Sequence, residues 1–185
     1  MNIQRIHHVA YRCVDAKKTV SFYQDLLGME FLLAIAEDQV PSTGEADPYM
    51  HVFLDAGVGN VLAFFEIPNS EPMGRDMNTP AWVQHIAFEL KSFEELTAAK
   101  EKLQAAGLKV LGPTNHTIFQ SIYFFDPSGH RIELAVNTAK PGMLDELKRV
   151  APAMLDEWAS TKVAPKHAAW LHSGDDFNNS PNTGK

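Results

Sequence analysis

The chain has 185 residues, 45% of them hydrophobic and 21% charged, so it can bury a proper core as one domain or as two fused half-domains. A formal net charge of −7, with no stripe of lysines or arginines, argues against nucleic acid and anionic membranes as partners. The single cysteine, Cys13, cannot close an internal disulfide; with no leader-like pattern after Met1 and no apolar run of transmembrane length, a cytoplasmic location is expected.

The first predicted element is a strand, roughly residues 6–13. Asp15 is placed to cap a helix carrying Val20, Tyr23, Leu26 and Leu27 at helical spacing, with Gly28 as its C′ residue. Strand-like runs follow at 30–36, 51–54 and 61–67. A long loop from Glu37 to Met50, rich in proline, glycine and acidic residues, separates the first two; loops of that length in compact domains are often functional.

Residues 71–80 are polar and rich in turn-formers and read as a linker between a first module (1–70) and a second (81–138). The second module repeats the order of the first. After a strand at His85, Ser92 and Glu95 form a capping box that opens a helix with Leu96, Ala99, Leu103 and Ala106 on one face, closed by Gly107. Strands are predicted at about 108–111, 119–125 and 130–136. Each module is strand, helix, three strands, and the pair is an internal repeat.

Beyond Asn137 the pattern changes. Residues 139–172 read as a helical extension, with one or two short helices over 143–162 and Pro152 starting the second. His167, Trp170 and His172 are expected to pack at a dimer interface, and 173–185 to form a disordered tail.

The repeat carries chemistry. Arg5-Ile6-His7-His8-Val9-Ala10-Tyr11 and Trp82-Val83-Gln84-His85-Ile86-Ala87-Phe88 place His8 and His85 at equivalent positions, and the last strand of module two carries Glu133. A lone histidine in an apolar strand is usually a core residue with a hydrogen bond. Two at matched positions, with a carboxylate that would be costly to bury unpaired, point instead to a divalent metal held by His8, His85 and Glu133. Pseudo-twofold symmetry would bring the two histidines face to face. His7 should point to the opposite face of the strand and is the second choice.

Ile6-His-His-Val-Ala, the helix end Phe22-Tyr23-Gln-Asp-Leu-Leu-Gly28, Trp82-Val-Gln-His-Ile-Ala-Phe and Ile122-Tyr-Phe-Phe-Asp-Pro-Ser-Gly-His-Arg-Ile-Glu-Leu together resemble the vicinal oxygen chelate superfamily. That superfamily includes glyoxalase I, extradiol dioxygenases, methylmalonyl-CoA epimerase, and the fosfomycin and bleomycin resistance proteins. The resemblance covers about residues 3 to 138. It implies an α+β fold in which two tandem βαβββ modules form a curved, half-open mixed β-barrel around a divalent metal. The family's ligands match His8, His85 and Glu133, and a helical C-terminal extension follows the second module.

Aligning Gly59-Asn-Val-Leu-Ala63 with Gly129-His-Arg-Ile-Glu133 puts Ala63 where glyoxalase-like and epimerase-like enzymes usually carry a further ligand or base. Glu66, three residues on, should face the other way. The remaining His/His/Glu set is the one shared by extradiol dioxygenases and fosfomycin-resistance transferases. Tyr123 matches a tyrosine that extradiol enzymes hold near the metal-bound substrate, and His116 in the preceding loop suits acid–base work near neutral pH. The resemblance therefore implies an extradiol-type ring-cleaving dioxygenase with Tyr123 and His116 as catalytic residues. Fe(II) is the first choice of metal, with Mn(II), Zn(II) and Ni(II) as alternatives. The substrate is a small molecule with adjacent oxygens, and a homodimer is expected. A metal-assisted isomerase or lyase is the alternative, and a non-catalytic resistance-type binder a second one, against which the intact ligand set argues. Fosfomycin transfer is disfavoured, because those proteins are shorter and combine ligands from two chains.

Overall fold

The structure, a computed structural model, describes residues 1–173; of the expected disordered tail only Ser173 falls within them. Module one runs β1 (Val9–Cys13), α1 (Ala16–Leu27), β2 (Glu30–Glu37), β3 (Tyr49–Asp55) and β4 (Val61–Glu66). Module two runs β5 (Ile86–Glu89), α2 (Phe93–Ala105), β6 (Leu111–Asn115), β7 (Phe119–Phe125) and β8 (Arg131–Asn137). The extension holds α3 (Met143–Thr161) and α4 (Trp170–Ser173). No described helix is long and apolar enough to cross a membrane.

Each module folds into one open, four-stranded mixed sheet, ordered β1-β4-β3-β2 and β5-β8-β7-β6, rather than part of a closed barrel. In both, the first strand lies parallel to the last and the other pairs are antiparallel. The ladders begin at Val9↔Leu62 and Ile86↔Ile132, so His8 and His85 stand just before their strands instead of within them. The same registers pair Ala10 with Ala63 and Ala87 with Glu133. Ala63 and Glu133 thus occupy matched places in the two sheets.

Local chemistry explains the helix ends. The Asp15 carboxylate accepts from the Lys18 N–H at 2.9 Å, and Gly28 closes α1 in the left-handed conformation at φ 72°. Ser92 accepts from the Glu95 N–H at 3.3 Å, while the Glu95 side chain reaches back to the Lys91 N–H at 3.0 Å. Both helices lay their apolar stripes on the sheets. Tyr23, Leu96 and Leu103 join Leu54, Leu62, Phe64, Ile122, Phe124 and Ile132 in one core spanning the two modules. Burying each such side chain is worth about 1.5–3 kcal/mol.

Specific bonds fix one module against the other. The Tyr23 hydroxyl donates to Asp126 at 3.0 Å, His130 Nε2 donates to the Arg12 carbonyl at 2.6 Å, and the Lys102 ammonium donates to the Asp25 carbonyl at 2.6 Å.

Three expectations need correction. The strand expected at 108–111 lies at Leu111–Asn115 instead, because Leu108 and Val110 pack on the core before the ladder starts. It carries Gly112 and Pro113, poor strand formers that are tolerated because β6 is an edge strand. Residues 143–161 form one helix that runs through Pro152, which forfeits one backbone donor without stopping the helix. Trp170, expected at a dimer interface, is already buried within its own chain beside Met143, Ile118 and Leu147.

Candidate metal centre

The inner strands of module two bring four polar side chains into a line. Glu133 on β8 lies opposite Tyr123 on β7, and both point to the same face of the sheet. The Tyr123 hydroxyl donates to Glu133 Oε1 at 3.0 Å. Nε2 of His116, in the turn between β6 and β7, meets that hydroxyl at 2.8 Å. On the other side Glu133 Oε2 is 2.9 Å from His85 Nε2. His116, Tyr123, Glu133 and His85 therefore form one unbroken run, three of its members drawn from the short stretch 116–133.

Proton bookkeeping orders this run. Glu133 is only 3% exposed, so its charge has to be compensated locally. Burial, and then the bond to Glu133, raises the Tyr123 pKa, which keeps its hydroxyl protonated as a donor. The tyrosine proton is committed to Glu133, so His116 Nε2 donates to the tyrosine oxygen. His85 Nδ1 lies 2.9 Å from the Val83 carbonyl, which can only accept; Nδ1 thus carries the hydrogen and Nε2 has a free lone pair. A lone pair facing a carboxylate at 2.9 Å needs a positive charge between them, either a proton or a metal ion.

The donor set fits a divalent ion. Ligands each about 2.1 Å from one ion and at right angles stand roughly 3 Å apart, the spacing between His85 Nε2 and Glu133 Oε2. An imidazole oriented by a backbone carbonyl and a carboxylate steadied by a tyrosine are the outer supports that metal ligands usually have.

His8 is elsewhere. Its Nδ1 is 2.8 Å from that of His7, and its ring stands edge-on to His51 and Phe53. Within one chain, then, the structure brings together His85, Glu133, Tyr123 and His116 but does not add His8. Among the described residues no group of three or more histidine, cysteine or acidic side chains is arranged to hold a metal. Glu66 faces away, as its position suggests, and accepts from the Ala16 N–H at 2.6 Å.

The C-terminal extension supports the site indirectly. The Thr117 hydroxyl, next to His116, bonds the Leu171 carbonyl, and Ile118 packs beside Trp170. His167 is tied to Glu157 at 2.9 Å, and the His172 side chain lies outside the described positions.

Two residues were missed from sequence. Arg131 sits two places before Glu133 on the same strand face, with its guanidinium 4.2 Å from the centre of the Tyr123 ring. His51 lies two places before Phe53, stacked on Phe65 at 3.5 Å, with a buried Nε2 that has no partner among the described residues. Burial, and then His8, lowers its pKa. The period of two along a strand, applied outward from Glu133 and Phe53, is the signal that finds both.

The chain is similar to known proteins in sequence and in fold. The chain is 30% identical over 162 residues to the metallothiol transferase FosB of Staphylococcus saprophyticus, covering 84% of this chain and 92% of that protein. It is 27% identical over 146 residues to MhqA of Bacillus subtilis, a protein named for ring-cleaving dioxygenase activity. That match covers 77% of this chain, which spans only 43% of the relative's length. Among solved structures, the fosfomycin resistance protein FosX of Listeria monocytogenes, complexed with Mn(II), superposes with a TM-score of 0.54 at 23% identity, covering 74% of this chain and 95% of that one. Residues 5–134 match the Glyoxalase/Bleomycin resistance protein/Dioxygenase superfamily, and the chain belongs to that superfamily.

Proposed function

We propose that this chain is a metal-dependent enzyme acting on a catechol-type substrate with two adjacent oxygens, and that its reaction is extradiol ring cleavage. The observation that carries the reading is the unbroken run from His116 through Tyr123 to Glu133 and His85. A divalent ion held by His85 and Glu133 would supply Lewis acidity and, if it is iron, a route to dioxygen chemistry. The chain's own groups handle protons. A diol must lose a proton to chelate; with Glu133 engaged by the ion, the Tyr123 hydroxyl would turn its hydrogen toward His116 Nε2, 2.8 Å away, and relay the proton to that imidazole in its Nδ1-protonated tautomer. Burial of Tyr123 and Glu133 keeps bulk water off this relay.

The third ligand in this reading is His8 of a second copy, which makes the working unit a homodimer. What supports a dimer is β2, whose Phe31, Leu32, Leu33 and Ile35 are 38–48% exposed, an apolar run that a monomer would leave in water. A second reading, in which the ion acts only as a Lewis acid in thiol transfer or isomerisation, is favoured by the length match. The chain spans 92% of the metallothiol transferase but 43% of the ring-cleaving relative, so shortness is no argument against transfer.

Metal analysis of anaerobically purified protein, with oxygen uptake on a panel of catechols, tests the reaction. Iron with oxygen consumption supports ring cleavage, whereas tight zinc, nickel or manganese without uptake moves the reading to the Lewis-acid class. Mixing His8→Ala with Glu133→Ala protein tests the shared site. Each is inactive alone, and a mixed dimer regains one complete centre. No recovery on mixing would place the third ligand elsewhere.

A further inference from the structure

The candidate centre opens on a cavity of about 420 Å³ whose wall includes His85, Arg131, Gln84 and, from the linker, Arg75 and Asp76. That volume suits a single small ring compound. Arg131 is half-buried, and among the described residues its guanidinium forms no ion pair or side-chain hydrogen bond; its recorded contact is the face of Tyr123 at 4.2 Å. A guanidinium set partly out of water without an acceptor is a cost that a fold rarely carries for nothing.

The other charges on this wall do not quench it. The Asp76 carboxylate is turned into the linker, where it accepts from the Asn78 N–H at 2.9 Å and from the Thr79 hydroxyl. Glu133 is engaged by Tyr123 and His85. Arg75, from the linker, adds a second guanidinium to the lining and donates to the Thr79 carbonyl at 3.4 Å.

We propose that Arg131 receives an anionic group of the substrate, so that this centre takes a carboxylate-bearing diol in preference to a neutral one. The inference rests on the reading of His85 and Glu133 as a metal centre that chelates two substrate oxygens. The guanidinium fork matches a carboxylate through two parallel N–H bonds, and Arg131 presents it beside the same cavity that exposes His85. Its contact with the Tyr123 ring holds the fork in place without consuming a carboxylate partner.

The test compares 3,4-dihydroxybenzoate with catechol in the metal-loaded protein, and benzoate with benzyl alcohol in an NMR titration of the metal-free protein. Wild type is expected to prefer the acid by about 10- to 100-fold in kcat/KM, mainly through KM. Arg131→Gln should bring the ratio near one, and Arg131→Lys should restore part of it. Benzoate, not benzyl alcohol, should shift module-two resonances of the wild type and leave those of Arg131→Gln in place. Equal use of both diols by wild type, or a preference that survives Arg131→Gln, overturns the assignment. If neither diol is turned over, the ring-cleavage reading fails and the titration decides alone. Arg131-dependent benzoate binding then upholds the anion site, and its absence sinks it.

Discussion

At matched positions of the two sheets, module one has Ala63 facing Phe53 where module two has Glu133 facing Tyr123. Strand order is the same on both sides, as are the registers of the last strand with its two neighbours and the place of the histidine before the first strand. Only the chemistry differs. Module two has a carboxylate, a phenol and two imidazoles in bonding contact. Module one offers an apolar wall of Phe53, Phe65 and Ala63, with His8 at its mouth and His51 stacked inside. The fold thus builds the geometry twice, and two side-chain choices decide which copy carries the polar run. Beside His8, module one sets the imidazoles of His7 and His51 and, at the place of Glu133, an alanine instead of a carboxylate.

The sharpest way to break this contrast is to give module two the residue of module one. Glu133→Ala should abolish metal retention and lower activity well beyond the ~100-fold that loss of an outer partner costs, with the core intact by circular dichroism. Metal analysis and rate assays read it, and a variant that keeps its metal would remove Glu133 from the centre. The reverse exchange, Ala63→Glu, puts a carboxylate at a fully buried site whose cross-strand neighbour, Phe53, has no polar atom to offer. It should cost about 3–5 kcal/mol in chemical denaturation, the scale of an uncompensated buried charge. A smaller loss would mean that module one can house a charged centre after all.

Counted from the matched pairs Ala10↔Ala63 and Ala87↔Glu133, Cys13 is the counterpart of Leu90, so a titratable group stands in module one where module two has an alkyl chain. Burial pushes the Cys13 thiol up to about 11 from 9.0. A group whose pKa is raised on folding contributes stability that is complete below its unfolded value. That stability is lost as pH rises through the folded one, here between pH 9 and about 11. Two units correspond to about 2–3 kcal/mol. Denaturant midpoints at pH 8 and pH 11 should therefore fall further for wild type than for Cys13→Ala. Parallel losses would show that the thiol is not the group that titrates.

Most of the fold was legible because it repeats. The caps at Asp15 and Ser92, the closing glycines and the apolar periods of α1 and α2 stand in the sequence as local signals, and β7 was placed to the residue. Edge strand β6 was not, since Gly112 and Pro113 read as a loop and its pairing partner is a non-local fact. In the site, Glu133, Tyr123 and His116 could be set beside one another because a ten-residue separation on adjacent strands is nearly local. His8 lies far along the chain, and no periodicity says whether its opposite face meets the same chain or another. Trp170 illustrates the same limit. Its apolarity marked it for packing, but whether against its own chain or a partner depends on where α3 turns back.

The mildest exchange, Tyr123→Phe, makes module two copy module one at the cross-strand position without removing a ligand. Phe53 shows that this register accepts a phenylalanine ring, so the sheet should be undisturbed. What disappears is the donor to Glu133 Oε1 and the acceptor for His116 Nε2. Glu133 keeps its contact to His85, so the bound metal should remain near wild-type stoichiometry. Turnover should fall by about 10- to 100-fold, the range for an outer partner of a metal ligand, with the loss in kcat rather than KM. His116→Gln in the same background should then add little, because its route to the centre runs through the tyrosine hydroxyl. Additive losses would separate the two residues and leave His116 with a direct line to the substrate.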